Sequence, residues 1–371
     1  MPTLAQAEGP FAAARRLCKL GPNSTAKRLV ATALSVVIAA TALLNPTTSI
    51  ATELKSRKAL LDDRVQMFDV PLLIAEAAGA PCGITSGKDG NIWFMLTKEG
   101  PRSPIFAIGK MTTGGEMTLF PVIDKQANCK IVDGPDDAIW WTLPDKLARF
   151  SYDGAYSEVV IPDATRKEPD GKTSDPMVPI AVGPNGRIWF APRQLIGYDQ
   201  KSGQITRLDV IGKLPPVVST NSAQISSLYV KANGSVLFGT TNGFVGFAAP
   251  DGRVSASRLP TGLGIINSVT LGDDGAIWAA DFLAPVIWKL NNGTLQTISL
   301  PTSVWKMLIG PDHAIWYAYV GGAIGRITQD GKTAVGYKID NDLITVPDIT
   351  SGPDGSIWFI NLRSIGRIRP P

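Results

Sequence analysis

Short apolar runs alternate with polar turns along most of this chain. The clearest copy is the turn Gly352-Pro353-Asp354-Gly355, which is followed by Ile357-Trp358-Phe359. Pro and Gly favour chain reversal, and β-branched and aromatic residues favour strands. Another short apolar segment precedes each turn. The pattern therefore predicts a β-hairpin at every copy.

The hairpins recur seven times with a nearly constant period. Successive aromatic or apolar anchors are 47, 49, 48, 41, 38 and 42 residues apart, which is typical of four-stranded propeller blades. The pattern predicts an all-β, seven-bladed β-propeller of four-stranded antiparallel blades. The anchors are predicted to pack between blades and to carry no chemistry. They are Trp93, Trp140, Trp189, Leu237, Trp278, Trp316 and Trp358.

The last repeat lacks an outer strand, and a segment near the N-terminus supplies it. The seventh repeat stops after its third strand, at residues 364–368, while residues 65–71 resemble an outer strand that no blade claims. An unpaired edge is a liability in a sheet. We therefore predict that the N-terminal strand joins the last blade and closes the ring.

The first 51 residues differ from the remainder of the chain. Five Lys or Arg and one acid precede or flank an uncharged apolar run at 29–44, and small residues follow before Thr52. This pattern predicts a signal peptide at 1–51 and an exported protein, periplasmic or secreted. An uncleaved membrane anchor is the alternative, because the run is near the short limit for a span. Residues 52–61 are a charged lead-in, and 62–371 form the propeller.

The balance of basic and acidic residues limits the kinds of partner that the protein is expected to bind. The chain has 36 Lys and Arg against 32 Asp and Glu, and residues 1–51 hold five and one of these, so 31 of each remain. Without a basic stripe the propeller is not expected to bind nucleic acid. A membrane contact is expected only if the N-terminal segment is uncleaved. The expected partner is an unknown small molecule, peptide or protein, and the protein is expected to be a monomer.

The repeat Gly-Pro-Asp-Gly-x-Ile-Trp-Phe, with Ile324-Gly325-Arg326-Ile327 and Ile365-Gly366-Arg367-Ile368 after it, resembles the virginiamycin B lyase family of seven-bladed propellers. The resemblance covers residues 62–371. It implies a lyase that opens the ester of cyclic streptogramin B peptides by elimination, with a His base and Glu ligands to Mg²⁺.

The residues that would carry this activity are not matched. The place of the family's His holds Cys82, Cys129, Val178, Ser226, Asn267, Trp305 and Pro347. The place of its Glu, three residues after each anchor, holds Leu96, Leu143, Pro192, Thr240, Asp281, Tyr319 and Asn361. The one histidine, His313, falls in a hairpin turn at the other end of the repeat. We therefore predict no catalytic residue and no cofactor, with Mg²⁺ only if a lyase activity holds.

These two sets are predicted to surround one mouth of the central channel, where propellers bind ligands. The polar and aromatic members are the candidate ligand-binding residues, the alternative being that they only line a hydrated channel. We predict a ligand- or partner-binding module. A divergent lyase or lactonase-like enzyme acting on cyclic ester (depsipeptide) substrates is the alternative. The candidates are Ser226, Thr240, Asn267, Asp281, Trp305, Tyr319 and Asn361.

Two cysteines occupy equivalent places in neighbouring repeats. Cys82 and Cys129 each lie two residues before the central Ile of an inner strand. An exported protein tolerates a disulfide. We name the pair as a candidate disulfide, whose formation requires a Cα separation below about 7 Å.

Overall fold

The computed structural model describes residues 64–70, 81–97, 104–126, 129–164, 178–192, 194–216, 223–261, 264–339, 346–361 and 363–371. All of these belong to the second of two compact units, 50–371. The predicted signal peptide at 1–51 and the lead-in at 52–61 lie outside the described residues. Among the described residues, no helix is both long and apolar enough to cross a membrane.

The described chain forms seven four-stranded antiparallel sheets, and each sheet is one blade. Strands are numbered in chain order. A 3-10 helix at Ile211–Lys213 follows β13. Blades 1 to 3 contain β2 Pro81–Ser86, β3 Ile92–Thr97, β4 Pro104–Met111 and β5 Met117–Gln126; β6 Ile131–Asp133, β7 Ala138–Leu143, β8 Lys146–Ser151 and β9 Tyr156–Val160; and β10 Ile180–Val182, β11 Ile188–Phe190, β12 Leu195–Tyr198 and β13 Ile205–Leu208.

Blades 4 to 7 follow the same meander. They contain β14 Ile225–Val230, β15 Val236–Thr240, β16 Phe244–Ala248 and β17 Val254–Arg258; β18 Ile266–Leu271, β19 Ile277–Asp281, β20 Val286–Asn291 and β21 Thr294–Ser299; β22 Val304–Ile309, β23 Ile315–Tyr319, β24 Ala323–Ile327 and β25 Ala334–Lys338; and β26 Asp348–Ser351, β27 Ile357–Ile360 and β28 Ser364–Ile368, with β1 Val65–Asp69 outermost.

The blades form a closed ring. The first strand of each blade contacts the first strand of the next, in the order β2, β6, β10, β14, β18, β22 and β26, and β26 contacts β2 again. These seven inner strands surround the central channel. The predicted seven-bladed architecture is confirmed.

Ring closure also follows the prediction. Strand β1 pairs antiparallel with β28, from Val65 opposite Ile368 to Asp69 opposite Ser364. The Phe68 ring stacks on Trp358 with the ring centroids 5.4 Å apart. The N-terminal strand is therefore joined to the last blade by main-chain pairing and by packing.

The repeat aspartate of the hairpin turn holds the anchor tryptophan in place. In blade 7, Asp354 accepts a 2.8 Å hydrogen bond from Trp358 Nε1 through Oδ1, and its Oδ2 lies 2.9 Å from Arg367 Nη1. Blades 1, 2 and 6 repeat this bracket with Lys110, Arg149 and Arg326 as the cations. All seven anchors are buried. The Asp-Trp-cation bracket thus stabilises the blade core from inside the turn.

Candidate functional site at the channel mouth

Four inner strands begin with a β-bulge. The pairing register skips one residue between Pro81 and Gly83, and again between Ile225 and Ser227, Ile266 and Ser268, and Val304 and Lys306. A bulge bends the strand and re-aims a side chain. The extra residues are Cys82, Ser226, Asn267 and Trp305, all members of the first predicted ring of mouth residues.

Two of these bulge residues form hydrogen bonds to the neighbouring blade. Ser226 Oγ donates a 2.7 Å hydrogen bond to the Ile266 carbonyl oxygen. Asn267 Nδ2 lies 2.8 Å from the carbonyl oxygens of both Val304 and Trp305. Because these side chains already join blade 4 to blade 5 and blade 5 to blade 6, they position the mouth. Asn267 in particular fixes the backbone that carries Trp305.

The structure joins Cys82 and Cys129 by a disulfide, with their Cα atoms 5.1 Å apart. The blades come this close because Gly83 has no side chain: an added Cβ would lie 2.7 Å from the Cys129 carbonyl oxygen. The bond links the inner ends of blades 1 and 2.

The second predicted ring does not offer its polar groups to the mouth. The exposed fractions of Thr240, Asp281, Tyr319 and Asn361 are 0%, 1%, 5% and 4%. The reason is local, because Thr240, Asp281 and Asn361 lie at or just after the end of the second strand of their blade and bind the turn that follows. Thr240 Oγ1 accepts the Phe244 N–H at 2.9 Å. The prediction that all four face a ligand therefore needs correction.

Asn361 and Tyr319 find their partners within their own blades. Asn361 Oδ1 accepts N–H groups from Arg363 at 3.0 Å and Ser364 at 3.2 Å. The Tyr319 hydroxyl lies 3.0 Å from the Tyr317 hydroxyl. Both side chains act inside the blade, in place of the ligand hydrogen bonding and stacking predicted for them.

Asp281 is the acidic group that best fitted a catalytic or metal-binding role in the sequence. Its Oδ1 accepts the Leu283 N–H at 2.8 Å. Burial raises the pKa of Asp281, and hydrogen bonds from Leu283, Ile265 and Thr261 oppose that shift. Divalent cations such as Mg²⁺ need several free oxygens. This environment does not fit Mg²⁺, and the described residues contain no cluster of three metal-ligating side chains.

Trp305 is the predicted site residue that keeps an exposed surface suited to a ligand. It is half-buried, and its ring centroid lies 4.8 Å from that of Phe282. The neighbouring Leu283 is 47% exposed. We call Phe282, Leu283 and Trp305 the mouth patch. Within the described residues, Trp305 Nε1 and Asn267 Oδ1 are buried polar atoms without a hydrogen-bond partner.

Sequence reasoning missed a group of charges beside this patch. Lys130, Lys306 and Asp348 each follow, by one residue, a position of the first predicted ring; we call them the channel charge cluster. Lys306 Nζ pairs with Asp348 Oδ1 between blades 6 and 7. The predicted mouth positions lie one residue before these charged residues. At Trp305 and Lys306, the β-bulge between Val304 and Lys306 interrupts the strict alternation of side chains between the two faces of the strand.

The Asp348 carboxylate is held firmly inside the channel wall. Its side chain is 2% exposed, its Oδ2 accepts the Ile84 N–H of blade 1 at 3.2 Å, and its Oδ1 accepts the Ile349 N–H at 2.9 Å. Burial lowers the pKa of Lys130, the Asp348 charge opposes that shift, and the Lys306 charge adds to it. Lys130 of blade 2 therefore shares an electrostatic environment with residues of blades 6 and 7.

His313 lies away from this site. It occupies the hairpin turn before β23 with φ of 61°, its side chain is 78% exposed, and Nδ1 lies 2.8 Å from Asp273 Oδ2. The predicted position in a hairpin turn is confirmed, and the side chain is exposed there.

The fold and the mouth define a seven-bladed propeller with an aromatic patch and charged residues at one end of its channel. The family model described as the virginiamycin B lyase family matches residues 171–371. This chain belongs to that family. No protein of curated function matches it in sequence.

Solved structures agree on the fold. A streptogramin B lyase structure is 25% identical with a TM-score of 0.66, over 82% of this chain and 97% of that one. A catalytically inactive virginiamycin B lyase from Staphylococcus aureus with quinupristin is 21% identical with a TM-score of 0.66, over 83% and 99%. An extracellular domain of a protein described as a hybrid two-component system from B. thetaiotaomicron is 13% identical with a TM-score of 0.61, over 83% and 40%.

Proposed function

We propose that this protein is an exported binding module that holds a small molecule or peptide with an aromatic or other flat apolar group at the mouth patch. The observation that carries the proposal is the pairing of half-buried Trp305 with Phe282 beside exposed Leu283. Aromatic surface at a channel entrance offers stacking and apolar contact with little loss of side-chain entropy.

Binding accounts for the site better than elimination does. The sequence has no His at the seven places that match the family's base. Removing a proton in an elimination needs a positioned base of suitable pKa. Asp281, the acidic candidate, is buried and accepts hydrogen bonds from its own turn. The polar residues of the second ring thus support the fold, and the aromatic residues remain for a ligand.

Export is part of the proposal. The N-terminal 51 residues have the pattern of a signal peptide, and the Cys82–Cys129 disulfide suits an oxidising compartment. The similar propeller from B. thetaiotaomicron is an extracellular domain. N-terminal sequencing of the protein recovered from the producing cells is expected to find Thr52 first. A chain that begins at residue 1 and stays with the membrane would favour the uncleaved anchor.

The binding proposal is tested with 3-phenylpropionamide, a neutral probe with one aromatic ring. Ligand-observed NMR is expected to detect weak binding to the parent protein, and Trp305→Ala is expected to weaken it about three- to tenfold through loss of ring contact. Leu295→Ala is the matched control, because Leu295 is an exposed apolar residue on outer strand β21. Equal binding by parent and Trp305→Ala would show that the mouth patch is not the working surface.

The alternative enzymatic function is tested with quinupristin, because a similar structure is that of an inactive virginiamycin B lyase with this compound. Elimination opens the ring without changing the mass, so chromatographic retention is the suitable measurement. We expect no turnover above the protein-free rate. Turnover at enzymatic rates that is abolished by Asp281→Ala would support the alternative function of a divergent lyase.

A further inference from the structure

The residue that follows each first-ring position forms a belt around the inner wall of the propeller. In blades 4 and 5 this place holds serines that join blades: Ser227 Oγ donates to the Ile266 carbonyl at 2.8 Å, and Ser268 Oγ accepts the Met307 N–H at 2.8 Å. Asp348 makes the equivalent bond from blade 7 to Ile84 of blade 1. The belt therefore fixes the channel wall and determines what faces its axis.

Three charged residues, Lys130, Lys306 and Asp348, interrupt this otherwise uncharged belt. Lys306 of blade 6 forms an ion pair with Asp348, and Lys130 of blade 2 is near enough for its charge to interact with both. The Lys306 side chain is 30% exposed although it is paired with Asp348. Two lysines and one immobile carboxylate give this part of the channel wall a formal charge of +1.

The mouth patch and the channel charge cluster are within reach of one small ligand. Trp305 and Lys306 are consecutive residues, so their Cα atoms are about 3.8 Å apart. The bulge at this point removes the alternation that would separate their side chains onto opposite faces. A molecule that stacks on Trp305 can thus extend an anionic group towards Lys306.

We infer that Lys306, with the charge of Lys130 nearby, binds the carboxylate of the ligand that the mouth patch holds, so that the ligand class is a monocarboxylate with an aromatic or flat apolar body. This inference rests on the proposed binding function. A carboxylate is the group that Lys306 already holds through Asp348. The fixed charge of Asp348 disfavours more highly charged anions such as phosphate dianions, because like charges repel strongly in a partly desolvated site.

The test compares 3-phenylpropionate with 3-phenylpropionamide, which differ in the charge of one end. Hydrogen bonds to charged groups contribute enough that the parent is expected to bind the acid about tenfold or more tightly than the amide. Lys130→Gln is expected to reduce this preference below about threefold. Lys201→Gln is the matched control, because Lys201 is an exposed turn lysine, and it is expected to keep the parent preference.

Lys306 needs a paired substitution, because Lys306→Gln alone leaves the buried Asp348 charge without its cation and threatens folding. The double variant Lys306→Gln with Asp348→Asn keeps hydrogen-bonding side chains and removes both charges. It is also expected to lose the preference for the acid. Equal affinities for acid and amide in the parent would overturn the carboxylate inference. The proposal that the mouth patch binds a ligand would be retained. Failure of both compounds to bind would overturn the mouth patch and this inference together.

Discussion

Gly366 shows how closely single residues are matched between strands. It lies opposite Phe359 in the pairing of β27 with β28, and a Cβ added to Gly366 would fall within the Phe359 ring. Gly109 under Phe94 and Gly325 under Tyr317 repeat the arrangement. In these blades, the third strand carries a glycine because the aromatic ring that follows the anchor tryptophan occupies the position where a Cβ would lie.

We expect Gly366→Ala to lower the free energy of unfolding by at least about 1–3 kcal/mol, because overpacking forces the ring or the backbone to shift. Gly114→Ala is the control, since its Cβ would meet only Thr112 Oγ1 at 3.5 Å. Denaturant titrations of both variants provide the measurement. Equal stabilities would contradict this account of the repeat glycine.

Repeat position predicted some residues of the site and could not predict the contacts of others. The buried anchors follow from a residue type at a fixed repeat position, and position alone located Trp305. Position alone could not tell that Thr240 and Asn361 bind the turns after them. Lys306 was missed because a bulge changes which side chains share a face, and single-strand periodicity contains no information about bulges.

In blades 1, 6 and 7, the Asp-Trp-cation bracket makes stability depend on pH. Burial alone would raise the pKa of Asp312, but hydrogen bonds from Trp316 and Arg326 outweigh it and lower that pKa. The pKa values of Asp89 and Asp354 are lowered in the same way. Because these carboxylates lose protons more readily in the folded state, they stabilise it above the unfolded pKa near 3.8. This contribution is lost as the pH falls through the lower folded values.

We expect Asp312→Asn to lower the free energy of unfolding at neutral pH by about 1–3 kcal/mol, since Arg326 loses its charged partner. The difference between variant and parent is expected to shrink as the pH falls from about 5 to about 2.5. Urea titrations over this range measure it, with Glu116→Gln on an exposed strand flank as the control. A difference that stays constant with pH would show that the bracket acts only through packing.

The disulfide joins two blades across 47 residues of sequence. Closing a loop of that length restricts the unfolded chain, and the entropy model gives a stabilisation of about 4 kcal/mol. We expect reductant to lower the unfolding midpoint of the parent and to leave a Cys82→Ser, Cys129→Ser variant unaffected. Thiol titration of the unreduced, unfolded mature protein is expected to find neither cysteine free. A parent insensitive to reductant would contradict this expectation.

At the scale of the whole ring, the pairing of β1 with β28 is the closure on which the last blade depends. We expect deletion of residues 62–72 to expose the edge of β28 and to cause self-association, because unpaired edges template further pairing. Size-exclusion chromatography of the deletion variant and the parent measures this. A deletion variant that stays monomeric and equally stable would contradict the closure.

The architecture was predictable because every blade repeats the same local signals. Turn residues, the anchor and the period gave seven blades even where the copy at Lys231 to Phe238 is degenerate. Residues 65–71 could be assigned to the last blade because their pattern matched the strand that blade lacked. Contacts between blades were not predictable in this way, since Ser227, Ser268 and Asp348 bind partners about 40 residues or more away.

The direction of the closing strands has a mechanical consequence. Val65 at the start of β1 lies opposite Ile368 near the C-terminus, so both chain ends leave the ring at the same end of one strand pair. A force that separates the termini would load these hydrogen bonds one pair after another, as in opening a zipper, and would not shear them together. Tension between an N-terminal tether and a C-terminal attachment would therefore peel the last blade open first, while the disulfide keeps blades 1 and 2 together.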